Sequence, residues 1–210
     1  MKILKTKIII IGSGGHAKSC LEVIESTNLY EIVGLVDKNA SSGSIKYGYK
    51  ILGGDDDLLK LINLTDKVFM GIGGIKNLAY REELTSKITK IGFVFERIIS
   101  PYATLSKTSS IGIGSIIHHN TYIGADVKIG NNCIINTGAI LEHESQVGSH
   151  SHVSTGAILN GNVTVGERTF IGSGVIIKQG VKIGSDSLVN MGTRVFEDVG
   201  DSKTIMESRK

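Results

Sequence analysis

The sequence predicts two architectures in tandem, an α/β domain with a Rossmann-like parallel sheet followed by a left-handed parallel β-helix. Three observations predict it. Past residue 98 the chain of 210 residues falls into a strict period of six. Helix-compatible segments stop near residue 90. A glycine-rich turn follows the first apolar run, Ile8-Ile9-Ile10-Ile11, and opens a helical segment, as in a βαβ unit. The divisions expected are residues 1–97 for the α/β domain, 98–200 for the β-helix and 201–210 for a C-terminal tail.

In the first part, Lys7 to Ile11 reads as a buried strand, Gly12-Ser13-Gly14-Gly15 as a tight turn and His16 to Ser26 as a helix. Glu31 to Asp37 reads as a second strand ending in a carboxylate, and Asp55-Asp56-Asp57 caps a helix through Ile62. A third strand follows at Lys67 to Gly71, then a helix from about Lys76 to Lys90 and a short strand at Phe93-Val94-Phe95. Strand and helix in alternation imply a small parallel sheet.

In the second part, every sixth residue from Ile99 to Val195 is Ile, Leu or Val, making 17 hexads without an insertion. Four residues after each stands a small or β-branched residue, from Ala103 and Ser109 through Cys133 to Thr193 and Val199. Such a repeat builds a triangular prism, each hexad giving one short strand and one corner, so that three hexads complete a coil. The aliphatic residue points inward and the fourth position is small because the interior narrows there. Gly and Asn, as in Gly114 and Asn132, suit the corner backbone. Coils stack about 4.8 Å apart.

Composition narrows the function classes. A formal charge of +3 is spread without any run of five or six like charges, which argues against nucleic acid or an anionic membrane as partner. No apolar run approaches the roughly 20 residues that span a bilayer, and a cytoplasmic protein is expected. Cys20 and Cys133 fall in different halves with no C-x-x-C pairing and read as buried thiols.

Two motifs carry chemistry. Gly12-x-Gly14-x-x-Ala17 lies between a strand and a helix, with Asp37 ending the next strand, and fits a nucleotide-binding unit. There the glycines admit a diphosphate to the helix N-terminus and the carboxylate holds a ribose or base. Gly15 belongs to the same turn, His16 stands in reach of a phosphate, and Gly71-Ile72-Gly73-Gly74 ends a strand on the same sheet edge. A tight turn without a ligand is the bland alternative. In the β-helix, His143 stands between Glu142 and Glu144. Acyl transfer from a thioester needs a base near neutral pH, and a histidine oriented by a carboxylate supplies one. One coil further on, Gly161 stacks beside His143 and leaves a backbone N–H for the thioester oxyanion. A surface ion pair, or a zinc site built from the six histidines, are the competing readings of this region.

The turn Gly12-Ser13-Gly14-Gly15-His16-Ala17-Lys18, the strand Val33 to Lys38, the stretch Ile134 to Glu144, and Val153-Ser154-Thr155-Gly156-Ala157 with Asn160-Gly161-Asn162-Val163 together resemble one family. It is the bacterial sugar acetyltransferases of the sialic acid O-acetyltransferase (NeuD) and UDP-4-amino-sugar N-acetyltransferase (PglD-like) group, within the hexapeptide-repeat superfamily. The resemblance implies acetyl-CoA as donor, no metal, and a homotrimer with active sites between subunits. It implies His143 as general base and Glu144 as its orienting carboxylate, and places His152 and Gly161 near the acetyl thioester. It assigns Gly12, Gly14, Gly15, His16, Asp37 and Gly73 to the acceptor pocket. The acceptor expected is a nucleotide-linked amino sugar of surface-glycan synthesis. Lys38 and the run Leu159 to Glu167 look closer to the branch acting on sialic acid. A non-catalytic trimeric scaffold and a zinc-dependent carbonic anhydrase-like enzyme remain as alternatives. The C-terminus lacks the family's Gly-x-Pro-Ala-Lys-like ending.

Overall fold

The computed structural model describes residues 4–74 and 78–206 and divides into two compact units, Met1–Ile98 and Ile99–Lys210. In the first unit the elements are β1 (Thr6–Ile11), α1 (Gly15–Thr27), β2 (Tyr30–Val36), β3 (Ile45–Lys46), β4 (Tyr49–Gly53), α2 (Leu58–Leu61), β5 (Lys67–Met70), α3 (Leu78–Ile91) and β6 (Val94–Phe95). The sheet runs β3-β4-β2-β1-β5-β6, parallel except for the β3–β4 hairpin. Ile8 to Ile11 of the central β1 are at most 1% exposed, as a strand covered on both faces requires. Helix α1 buries Ala17, Cys20, Leu21 and Ile24, which share one face at helical spacing, and ends where Asn28 takes the left-handed conformation with φ +57°.

Two details differ from expectation and one is not tested. Asp37 lies one residue beyond β2, not within it. The Asp55–Asp57 segment is a 3₁₀ turn that leads into a single α-turn at Leu58–Leu61. The start expected for α3 near Lys76 lies outside the described residues. The hairpin β3–β4 has no counterpart in the sequence reading. It turns through Tyr47 and Gly48 at φ +55° and +84°, the two consecutive positive φ angles of a tight hairpin turn.

The second unit is a left-handed β-helix of two-residue strands that pair in parallel at a spacing of 18, for example Ile116–Ile117 with Ile134–Ile135, and that pair with His152–Val153. Three sheets make the sides. From Ile111 to Val195 the inward aliphatic residues form one column, at most 9% exposed. At the corners a left-handed residue recurs every sixth position, from Gly114 and Asn120 to Asp186 and Gly192. The small fourth-position residues have a second role that size alone does not reveal. Ser115, Ser145, Ser151 and Thr169 donate their hydroxyls to carbonyls 15 residues on, at 2.7–3.0 Å, so the narrow interior is hydrogen-bonded as well as filled.

The expected tail from residue 201 requires correction. The final coil is 16 residues long: Val199 bridges Ile183, and Thr204–Ile205 pairs with Leu188–Val189. Val199 thereby takes the aliphatic place, not the small fourth place the hexad count assigned to it. Two residues fewer in the last turn move the register off the period of six, and the β-helix continues to Ile205.

Candidate active site

The carboxyl ends of β1, β2 and β5 open on a cleft of about 350 Å³, lined among others by Gly12, Gly14, Asp37, Gly73, Lys38 and Tyr80. It sits where the sheet order reverses, between strands leading away on either side, which is where open parallel sheets bind ligands. Each expected residue is here. Gly12 has φ +98°, and a Cβ on it would collide with Ile72. Gly14 has φ −77° as N-cap of α1, so its backbone does not require glycine, and a Cβ on Gly14 or Gly15 would meet nothing within 4 Å. The fold leaves these two positions bare toward the cleft. Gly73 is explained by packing instead, since a Cβ there would press on His16, 2.9 Å from its Cβ and 3.0 Å from the ring Cγ. His16 Nε2 lies 3.3 Å from Cys20 Sγ, one helical turn on.

Asp37 is tied to the turn that it faces. Its Oδ2 accepts from the Ser13 N–H at 2.9 Å and the Ser13 hydroxyl at 2.5 Å, and its Oδ1 accepts from the Asn39 N–H at 2.9 Å. Partial burial pushes its pKa up, but the Ser13 and Asn39 bonds and the Lys46 charge outweigh it and hold the carboxyl below its ordinary value. Lys46, brought in by the hairpin, donates to the Ser13 hydroxyl at 3.1 Å. The ammonium groups of Lys18 and Lys46 lie 5.9 and 5.6 Å from the Tyr47 ring, beside the N-terminus of α1. Sequence reasoning missed this cationic edge. The Lys46-Tyr47-Gly48-Tyr49 run was its one local signal, a two-residue turn between potential strand residues.

In the second unit His143 stands exposed at a corner, its Nδ1 3.1 Å from Glu144 Oε2. Glu144 takes up the ring, and Glu142 does not. With Nδ1 donating to the carboxylate, Nε2 carries the lone pair. That nitrogen faces Gly161, where a Cβ would collide with Nε2 and Cε1. Asn160 and Asn162 N–H groups donate to Ile177 O at 3.2 Å and His143 O at 2.8 Å, whereas the Gly161 N–H between them makes no such bond among the described residues. Glu144 has φ +60° and is one of the few corner residues other than Gly, Asn, Asp or Ser in this conformation.

His152 is buried on another sheet, in edge-to-face contact with Phe170 at 5.0 Å between ring centroids. His143 and His152 therefore occupy different sides of one prism. His118 is also buried, and burial followed by the charges of His119 and His152 lowers its pKa to about 4, so it is neutral at physiological pH. A second groove, about 450 Å³, begins at Asn160 beside His143 and runs past Ile176, Lys178, Arg194 and Phe196. Its two cations escaped sequence reasoning because outward positions carry no periodic constraint.

Comparisons with known proteins fit this geometry. Residues 7–88 match the family model of the PglD N-terminal domain, and residues 99–208 that of the GMPPB C-terminal domain. PerB from Caulobacter crescentus, in complex with CoA and GDP-perosamine, is 32% identical with a TM-score of 0.88, over 97% of this chain and 95% of that one. The acetyltransferase domain of PglB from Neisseria gonorrhoeae FA1090, in complex with acetyl coenzyme A, is 29% identical with a TM-score of 0.86, over 96% of each chain. WeeI from Acinetobacter baumannii AYE, at 23% identity and a TM-score of 0.82 over 98% of this chain and 99% of that one, shares the fold. No curated protein sequence matches. The hexad-built β-helix and the likeness over nearly the whole chain to acetyltransferases solved with CoA or acetyl coenzyme A define an acyltransferase of the hexapeptide-repeat superfamily. Sequence identity over nearly the full length of both chains carries the relationship further, and the chain belongs to the PglD-like sugar acetyltransferases.

Proposed function

We propose that this protein transfers the acetyl group of acetyl-CoA to the amino group of a nucleotide-linked amino sugar, for bacterial surface-glycan synthesis. The observation that carries the proposal is the His143–Glu144 pair, with Nδ1 on the carboxylate and Nε2 turned toward Gly161. The neutral sugar amine attacks the thioester carbonyl, and His143 Nε2 takes its proton as the nitrogen becomes positively charged. The N–C bond forms, the Gly161 N–H stabilises the oxyanion, the C–S bond breaks, and the proton passes from His143 to the departing thiolate. Glu144 holds the tautomer and stabilises the imidazolium.

The groove from Asn160 to Phe196 suits the coenzyme, with Ile176 and Phe196 against its pantetheine arm and Lys178 and Arg194 near its phosphates. The cleft of the first unit suits the acceptor nucleotide. Its diphosphate meets bare Gly14 and Gly15 at the start of α1 and the cations of Lys18 and Lys46; Gly12 forms the turn, Gly73 packs on His16, and Asp37 fixes both turn and ribose. The partly apolar outer stripe Tyr122, Ile140, Ile158 and Ile176 supports a homotrimer with active sites between β-helices, in which His152 is placed near the thioester. No helix among the described residues is long and apolar enough to cross a membrane, and a cytoplasmic location follows in this reading.

The test is release of CoA thiol from acetyl-CoA with a panel of nucleotide-linked 4-amino sugars and with free and CMP-linked sialic acid. Turnover with an amino-sugar nucleotide is expected, and turnover with sialic acid alone would overturn the proposal in favour of O-acetylation. His143→Ala should lower turnover by roughly 10²–10⁴-fold with assembly unchanged, and a near-normal rate would remove His143 from the mechanism.

A further inference from the structure

The first unit's cleft carries a further set of side chains that the reading above does not assign to the diphosphate. Lys38, Asn39 and Asp55 all line it. Lys38 and Asp55 are brought together by the close approach of the chain at Gly54, where a Cβ would stand 3.4 Å from Lys38 Cα. Lys38 donates to the Tyr80 hydroxyl at 3.3 Å and lies 5.1 Å from that ring, so the ammonium is held at the edge of the cleft. Asp57 is occupied in capping the Gly54 N–H at 3.0 Å, whereas the Asp55 carboxylate makes no hydrogen bond or ion pair among the described residues.

A cation and a carboxylate lining one cleft, on chain segments that touch at Gly54, offer a base edge one donor and two acceptors. Guanine has the complementary edge: O6 accepts, while N1–H and the 2-amino group donate in parallel to both oxygens of one carboxylate. Uracil and thymine offer a single N3–H flanked by two carbonyls, one of which would face the carboxylate. Cytosine and adenine place an amino donor where the lysine stands. We infer that Lys38 and Asp55 read the base of the acceptor nucleotide and that the substrate is a guanosine-diphosphate sugar. The inference rests on the cleft being the nucleotide site proposed above.

Isothermal titration of the full chain with GDP, UDP, dTDP, CDP and ADP, without acetyl-CoA, tests it. GDP should bind at least about 10-fold tighter than the others, the loss expected from one mispaired, partly buried edge. Asp55→Asn should lower GDP affinity by roughly 10-fold or more while leaving UDP affinity unchanged. It should also raise affinity for xanthosine diphosphate, whose C2 carbonyl accepts from the new amide while its N1–H donates to the amide oxygen. That gain is an effect no misfolded variant would give. Tightest binding of another nucleoside diphosphate, or an Asp55→Asn protein with unaltered base preference, would overturn the inference while leaving the cleft as a nucleotide site. Failure of every nucleoside diphosphate to bind would overturn the reading of the cleft itself, and the inference with it.

Discussion

Glu144 shows a residue held where its own backbone preference opposes it. A left-handed conformation costs a non-glycine residue about 1–2 kcal/mol, and most corners of this β-helix avoid the cost with Gly, Asn or Asp. Glu144 bears it and is the carboxylate on His143. Backbone strain kept where a side chain has work to do is the pattern expected of a functional position. Glu144→Asn should therefore raise stability by roughly 0.5–1 kcal/mol, since Asn tolerates the conformation. The shorter amide cannot reach the ring as a charged partner, so turnover should fall. Thermal unfolding and CoA release measured on the same preparation check the two opposed changes. At this scale the sequence was most informative where chemistry needs adjacency: His143 with Glu144 is visible in a row of letters, and Gly161 follows from adding one coil. Lys178 and Arg194 were not visible, because a cation on an outer face looks like any solvated lysine or arginine until the coils are stacked.

Among the elements, legibility followed periodicity. The hexads left no freedom in the second unit, because a misplaced aliphatic residue would sit at a corner or outside. The hairpin β3–β4 had no such protection: two strands of two and five residues, set between polar loops, carry too few alternations to register. Yet the hairpin brings Lys46 to Ser13 and thereby completes the support of Asp37. This element defines what Asp37 does. Its carboxylate staples the β1–α1 turn to the end of β2, so Asp37→Ala should loosen the turn and raise the acceptor KM much more than the acetyl-CoA KM. The reverse pattern would mean that the two pockets are exchanged. Stability carries a matching signature. Folded Asp37 titrates below the ordinary carboxyl value of 3.8, so its contribution is complete above that value and is lost as acid takes the pH down through the folded value. The stability advantage of wild type over Asp37→Ala should be present at neutral pH and be lost as acid takes the pH below the ordinary carboxyl value and down through the lower folded one. Because the carboxylate is only partly buried, solvent screening should keep the advantage small.

For the molecule as a whole, the shortened last coil decides how the stack finishes. It supplies acceptors to the coil before it: Lys182 and Ser185 N–H groups donate to the Asp198 and Asp201 carboxylates at 2.8 and 2.7 Å. Gly184, Leu188 and Asn190 donate to the carbonyls of Val199, Lys203 and Ile205 at 2.7–2.8 Å. Truncation after Glu197 would strip all five. The melting temperature should fall by at least about 5 °C, the equivalent of one kcal/mol or so in a unit of this size, with the remaining coils still folded by circular dichroism. An unchanged melting temperature would show that the last turn adds nothing to the stack.

The same two-residue shortfall bears on what the molecule avoids. A column of parallel coils ends in a row of unpaired backbone groups, and a full-width final coil would be a template on which another column could continue, head to tail, into a filament. Here the terminal turn is narrower than the coil beneath it, and exposed Asp198, Asp201 and Lys203 stand at its rim. A full-width coil set against it would meet a mismatched outline in place of a matching ladder. The departure from six that made this stretch unreadable by repeat counting thus gives the last described coil an outline that no longer registers with the coils beneath it.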